Sequence, residues 1–374
     1  MKEMWEVELI STDTIKPSSP SPHHLRTFKL GRLDQLSPAI FFRLLLFYSS
    51  PTIAVETVQK LKINAEGCTV DCNDHGVDFL VTKVRGQLHD FLNDPDPDVG
   101  DKFLPCDATS ARSGRDVLLA VQVNIFDCGG YVVGIGISHK LADGWVGRMA
   151  RAREAGDVAV PTFDSPKLFP PMKVPWTDPA IVTIKENLLA RRFVFDGPNM
   201  ARLRGGNHSG SIASRPTRAE AVSALIFRCY MRARRESTRA IVALHAVCLR
   251  KWMVPPLQES SFGNLWTCAV MALPPEGEEE CQEDMRRRLE RQLRDAMKVI
   301  DGDYVRELEG PHGPILDHEP LNAIKEKCSK CAVDIPGDGV EAWVCLEEEV
   351  MARFEQDEEW LSFVSPPNPV AAEA

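Results

Sequence analysis

No apolar run in this chain approaches the length that spans a bilayer. The first fifteen residues lack the basic flank and apolar block of a secretory signal; Lys2, Glu3, Glu6, Glu8 and Asp13 interrupt them. Basic residues are not in excess. Lys+Arg number 44 against 54 Asp+Glu, a net charge of −10, whereas a general nucleic-acid binder needs a basic surface. The eleven cysteines follow no disulfide-scaffold rhythm, so free thiols and a cytoplasmic location are expected. No internal repeat is seen. What remains is ordinary globular composition, 44% apolar and 26% charged, over 374 residues. That length suggests two domains.

Segments alternate between strand and helix character. Trp5–Ile10 alternates apolar and acidic residues as a strand does. Lys16–Pro22 is a proline-broken connector. The adjacent His23 and His24 point in different directions with no third ligand near, so no metal site is expected there. Ala39–Tyr48 reads as a buried strand, and Val77–Val84 as another. Asp94–Asp98 is an acidic loop without the glycine and terminal glutamate of an EF-hand. Val117–Asp127 and Tyr131–Ser138 form a hairpin around Gly129-Gly130. Gly134 and Gly136 lie inside its second strand, leaving room for something to approach the backbone. Pro161–Pro175, with five prolines, reads as linker. Thr217-Arg-Ala-Glu220 has the capping-box form and opens a helix to Arg234. Glu276–Ile300 reads as an amphipathic helix, Gly339–Leu346 as a strand and Glu347–Phe363 as an acidic helix.

The sharpest chemical feature is Ser138-His-Lys-Leu-Ala-Asp-Gly144. A histidine ends a strand, and Asp143 and Gly144 follow. Imidazole takes and returns a proton near neutral pH. Asp143 can orient that imidazole or tie down the turn by pairing with a cation. Spacing alone does not choose, and a surface histidine at a strand end is the plainer account.

The wording around it decides. His139-Lys-Leu-Ala-Asp-Gly144 resembles the HxxxD(G) signature of the plant BAHD acyltransferases. Ile15–Leu25, Leu33-Asp-Gln-Leu-Ser-Pro38, Asp71-Cys-Asn-Asp-His-Gly-Val77, Cys128-Gly-Gly130, Pro216–Ile226, Ser261-Phe-Gly-Asn-Leu-Trp266 and Asp338–Val344 resemble further family segments in order. The likeness is greatest to the vinorine-synthase-like branch. It implies an α/β, two-domain chloramphenicol-acetyltransferase-like fold, with mixed sheets, flanking helices and a channel between the domains. Residues 1–172 would form the first domain, 173–191 a crossover linker and 192–374 the second. His139 would be the general base in the channel, moving an acyl group from acyl-coenzyme A to a hydroxyl of a specialised metabolite such as an alkaloid. Acetyl is the acyl group expected. Asp143 and Gly144 would support the catalytic loop, with Arg250 as the partner of Asp143. The coenzyme A contacts are not legible. No permanent cofactor, metal, nucleic acid or membrane is implied, and a monomer is expected.

The chain also departs from that family. The DFGWG signature is missing between Leu321 and Gly337, with its flanking proline-containing strand. The helix that ordinarily ends in a YPLAGR-like sequence is absent, and Val55–Lys62 reads as its remnant. A lost strand would open a sheet edge. An active divergent enzyme, an impaired relative that binds without efficient turnover, and an incomplete gene model are the readings that follow. Cys328-Ser-Lys-Cys331 falls in the altered stretch, but no second CxxC completes a zinc site and no helix-opening context suggests redox work.

Overall fold

The computed structural model describes residues 5–17, 19–38, 40–49, 62–63, 69–93, 95–106, 118–144, 161–172, 188–205, 215–234, 241–273, 282–311, 313, 329–335 and 338–365. The stretches 55–61 and 206–214, and Cys328, lie outside them. Among the described residues no helix is long and apolar enough to cross a membrane.

The first half is built on a five-stranded mixed sheet. Its strands are β1 (Val7–Ile15), β3 (Phe41–Tyr48), β6 (Val77–Val84), β7 (Leu119–Phe126) and β8 (Tyr131–Ser138), in the order β1-β6-β7-β8-β3. β6 and β7 run parallel and the other pairs antiparallel. A small sheet joins β2 (Thr27–Lys29), β5 (Thr69–Asp71) and β4 (Lys62–Ile63). β1 runs past Ile10, where its sequence alternation fades, because it pairs with β6 as far as Ile15↔Val77. Asp94–Asp98 contains a helix start rather than only a loop. Asp96 caps Pro97–Lys102 by accepting from the Asp98 N–H at 3.0 Å, and Pro97 fits the first helical turn, where no N–H is needed.

The glycines of β8 admit the chain's own backbone. A Cβ at Gly134 would collide with the Phe103 carbonyl, and one at Gly136 with the Cys106 sulfur. A buried polar network fixes that approach. Asn124 Nδ2 donates to the carbonyls of Phe103 (2.9 Å) and Val132 (3.1 Å), while its Oδ1 accepts from Thr82 Oγ1 and Gln122 Nε2, both at 2.7 Å. Each of these buried groups is thereby satisfied.

In the second half, β9 (Leu188–Phe195), β13 (Gly339–Glu347) and β12 (Ser329–Ile335) form one sheet, and β10 (Ile241–Cys248) and β11 (Trp266–Leu273) another. β9 starts inside the stretch read as crossover linker. β12 comes from the stretch that lacks DFGWG, yet it pairs with β13 from Ser329↔Cys345 to Ile335↔Gly339. That side of β13 is therefore not left open, as the missing motif suggested.

The capping box forms as expected: Thr217 Oγ1 accepts from the Glu220 N–H at 3.2 Å, and Glu220 Oε2 from the Thr217 N–H at 2.7 Å. The helix Arg218–Ala233 that follows buries Val222, Leu225 and Ile226 against β13 and the end of β9. Met285, Leu289 and Leu293 of the helix Gln282–Lys298 pack on its other side. The acidic C-terminal stretch makes two helices, Glu348–Phe354 and Glu358–Phe363. Asp357 breaks them apart by accepting from the Trp360 N–H (3.0 Å) and from Arg232 Nε (2.7 Å). The resulting turn places Trp360 fully inside the core.

The stretch 161–175 does more than link. Thr162 bridges Ser261, Ser165–Leu168 is helical, and Phe169 is buried. Phe169 and Leu33 share one apolar cluster with Leu249, Leu265, Val305 and Leu308, so the two halves have a common core beside the HxxxD turn.

Gly134→Ala is expected to destabilise the protein by about 1–3 kcal/mol, the range of an overpacked core. Gly100→Ala meets only ordinary contacts, at 3.6 Å and beyond, inside a helix. It should be neutral or slightly stabilising. Urea unfolding of the two variants checks the contrast.

Candidate active site

β8 delivers His139 to the place where the two halves meet. The Ser138 N–H donates to the Leu118 carbonyl at 2.7 Å, the His139 N–H to the Ile40 carbonyl at 2.8 Å, and the Leu141 N–H to the Ser138 carbonyl at 2.9 Å. The strand ends there in a turn, and the imidazole is half-buried. Phe42 approaches it edge-on at 6.4 Å between ring centres. Trp266 tilts over it at 5.7 Å.

The proton on this ring can be placed by counting donors. Asn264 Nδ2 has two hydrogens and two acceptors, the His139 carbonyl at 2.7 Å and Asp34 Oδ1 at 3.1 Å. Asn264 Oδ1 faces Trp266 Nε1, which can only donate, at 3.2 Å. The amide orientation is thereby set. Asn264 Oδ1 also lies 3.0 Å from His139 Nδ1. An amide oxygen can only accept, so Nδ1 carries the hydrogen and Nε2 keeps its lone pair. Burial lowers the His139 pKa below its ordinary 6.5; a hydrogen bond to its own backbone, the bond to Asn264 and the Asp143 charge oppose this, and Lys140 adds to it. At neutral pH the ring is therefore a base.

Asp143 points away from the imidazole into a buried ion pair. Arg250 Nη1 reaches its Oδ2 at 2.8 Å and Nη2 its Oδ1 at 3.2 Å. Oδ2 also accepts the Leu265 N–H at 3.0 Å. The guanidinium goes on to the Ser261 carbonyl, at 3.1 and 3.0 Å, and the Gly263 carbonyl at 3.1 Å. Burial would lower the Arg250 pKa, but the Asp143 carboxylate holds it raised. The geometry ties down the turn rather than orienting the imidazole. Gly144 is exposed, with Phe42 3.3 Å from where its Cβ would stand.

Asn264, Trp266 and Asp34 were not assigned roles from sequence. Asn264 and Trp266 stand in the Ser261–Trp266 segment, where a lone amide sits amid Phe262, Gly263 and Leu265. A polar group so framed must find partners inside the fold, and that was the available signal. The other candidates lie elsewhere. His23 and His24 occupy a short 3-10 turn, and Cys331 lies in β12 rather than at a helix start. Cys229, Asp357 and Glu359 come together, but Arg228, Arg232 and Arg286 supply their cationic partners.

Removing one partner of the buried pair strands the other. Asp143→Ala is expected to cost about 3–5 kcal/mol, read by chemical denaturation. A loss below about 1 kcal/mol, typical of an exposed pair, would contradict the geometry.

Comparison with known proteins shows the family and the fold. The model of the Transferase family matches residues 5–311. A (13S,14R)-1,13-dihydroxy-N-methylcanadine 13-O-acetyltransferase of Papaver somniferum is 33% identical over 318 residues. That match covers 72% of this chain and only 66% of the relative's length. The crystal structure of vinorine synthase superposes with a TM-score of 0.75 at 25% identity, covering 97% of this chain and all of that one. TRI101 of F. sporotrichioides, solved with coenzyme A and T-2, shares the fold at a TM-score of 0.56 and 14% identity, over 91% of this chain and 99% of its own. The chain belongs to the Transferase family, the BAHD acyltransferases.

Proposed function

We propose that the protein transfers an acetyl group from acetyl-coenzyme A to a hydroxyl of a specialised metabolite, with His139 as the general base. The observation that carries this is the 3.0 Å approach of Asn264 Oδ1 to His139 Nδ1, which assigns the hydrogen to Nδ1 and leaves the Nε2 lone pair to take a proton. Nε2 takes the acceptor's hydroxyl proton as the oxygen attacks the thioester carbonyl carbon. The tetrahedral intermediate then collapses and the carbon–sulfur bond breaks. The coenzyme A thiolate leaves with the proton from His139. No covalent acyl-enzyme is needed. Cys268, in the strand that begins at Trp266, has its thiol pushed up to about 11 by burial, the reverse of an activated nucleophile.

Phe42 and Trp266 give the imidazole apolar walls, which suits an alcohol carried on a bulky, weakly polar skeleton. The Papaver relative is named as a 13-O-acetyltransferase of a dihydroxy-N-methylcanadine. Coenzyme A and acceptor would approach His139 from opposite sides. A monomeric, cytoplasmic enzyme belongs to the same reading, and Cys72, Cys106, Cys128, Cys229, Cys248, Cys268 and Cys345 are free thiols. The impaired-relative reading gains no support from the comparisons.

His139→Ala should lower acetyl transfer at least about 100-fold, the scale of general-base catalysis, with the melting temperature retained. Acetyl-coenzyme A consumption over a panel of hydroxylated alkaloids, terpenoids and phenolics measures it. Because burial lowers the His139 pKa, kcat should stay level through neutrality and fall only on the acid side of 6.5. Unchanged turnover in the variant would eliminate His139 as the base.

A further inference from the structure

The mechanism leaves one buried carboxylate unused. Asp34, in the short helix Arg32–Leu36, is 1% exposed. Its Oδ2 accepts the Gly31 N–H at 2.9 Å and the Ser165 hydroxyl at 3.0 Å. Its Oδ1 accepts the Asn264 N–H at 2.8 Å and Asn264 Nδ2 at 3.1 Å. All four groups are donors here. A protonated carboxyl would need an acceptor, so this nest fits the ionised form. Burial pushes the Asp34 pKa up to about 6, and the four hydrogen bonds oppose that rise. The group is still a carboxylate at neutral pH.

The charges nearby are engaged elsewhere. Arg250 holds Asp143, Lys140 Nζ donates to the Gln35 carbonyl at 2.7 Å, and the Arg32 guanidinium donates to the carbonyls of Gly313 and Leu308. The bonds from Asp34 toward the site run to Asn264. A bond from an amide hydrogen to a carboxylate is stronger than one to a neutral oxygen. It draws electron density toward Asn264 Oδ1, the atom facing His139 Nδ1.

We propose that Asp34 is a positioning residue for the acyl-transfer base: through Asn264 it fixes the Nδ1–H tautomer of His139 and so leaves Nε2 free for the acceptor's proton. The inference rests on the acyltransferase reading for its consequence but not for its geometry. In Asp34→Asn the new side chain has one acceptor oxygen and one donor nitrogen. Whichever way it sits, a donor confronts a backbone N–H, of Gly31 or of Asn264. The Asn264 amide then loses its charged anchor, and the His139 carbonyl and Trp266 Nε1 are left to hold its orientation.

The test uses the whole protein labelled with 15N-histidine. Long-range proton–nitrogen spectra identify the His139 signals by their loss in His139→Ala. Wild type is expected to show a protonated Nδ1 and a bare Nε2 at pH 7.5. Asp34→Asn should move the signals toward the Nε2–H form. Its kcat should fall about 10- to 100-fold, as supporting hydrogen bonds behind a catalytic group typically require. KM for acetyl-coenzyme A should stay within about twofold, since that substrate is not touched. A wild-type His139 protonated at Nε2 overturns the proposal even if the variant does not fold. So does an Asp34→Asn protein with wild-type signals, whatever its kcat, because Asp34 would then be only structural. Failure of the wild type to transfer acetyl groups would sink the acyltransferase reading alone; the spectra would still decide the role of Asp34.

Discussion

The loop Ser261–Trp266 must be gripped by the turn Ser138–Gly144, and the rest of the site depends on that grip. Four kinds of contact meet there. Arg250 bridges Asp143 and the carbonyls of Ser261 and Gly263. The Leu265 N–H reaches Asp143. Asn264 holds both the carbonyl and the ring of His139. Leu265 itself enters the apolar cluster shared by the two halves. None of these is strong alone in water, where two unit charges at contact are worth only about 1 kcal/mol. Buried together, each becomes costly to break, because the partner left behind has no water to turn to. The contacts that join the halves thus also position the His139 ring.

The sheet beneath supplies rigidity of another kind. β8 has to end at a fixed point for His139 to meet Asn264. Glycines in a strand ordinarily weaken it. Here Gly134 and Gly136 let the Phe103–Cys106 segment lie directly on the strand. Asn124, Gln122 and Thr82 then lock that segment through hydrogen bonds inside the sheet. The room that these glycines leave beside the backbone is filled by the protein itself.

His139, Asp143 and Arg250 were legible because each is marked by residue type and spacing within a familiar wording. The capping box at Thr217 was legible for a similar reason: its partners are three residues apart, so local sequence contains the whole interaction. Asn264 and Asp34 were not. Their partners lie 125 and 230 residues away, and nothing in a short window says that an amide and a carboxylate will face one another. The stretch 161–175 misled through its prolines, which mark irregular backbone but not exposure; Phe169 lies wholly inside. Near Asp357 the expected single helix gave way because a capping aspartate and a buried tryptophan outweighed helical periodicity. The replaced stretch before β13 supplies a strand despite lacking the familiar motif, since pairing along β13 asks for extended backbone rather than a particular set of side chains.

Two carboxylates flank this site, and they are held in different ways. Asp143 is matched by a full guanidinium charge, and the part of its field that reaches the ring favours the imidazolium. Among the described residues Asp34 is matched by the dipoles of N–H and O–H donors. Its charge is delocalised outward through them, and one of them belongs to the amide that faces His139. Were a carboxylate bonded directly to Nδ1, the imidazolium would be favoured and the pKa raised. A neutral amide in between keeps the orienting hydrogen bond while blunting that pull. Burial therefore wins, and the imidazole pKa stays below its ordinary value. The ring remains unprotonated and correctly turned at neutral pH, the two properties a general base for an alcohol requires.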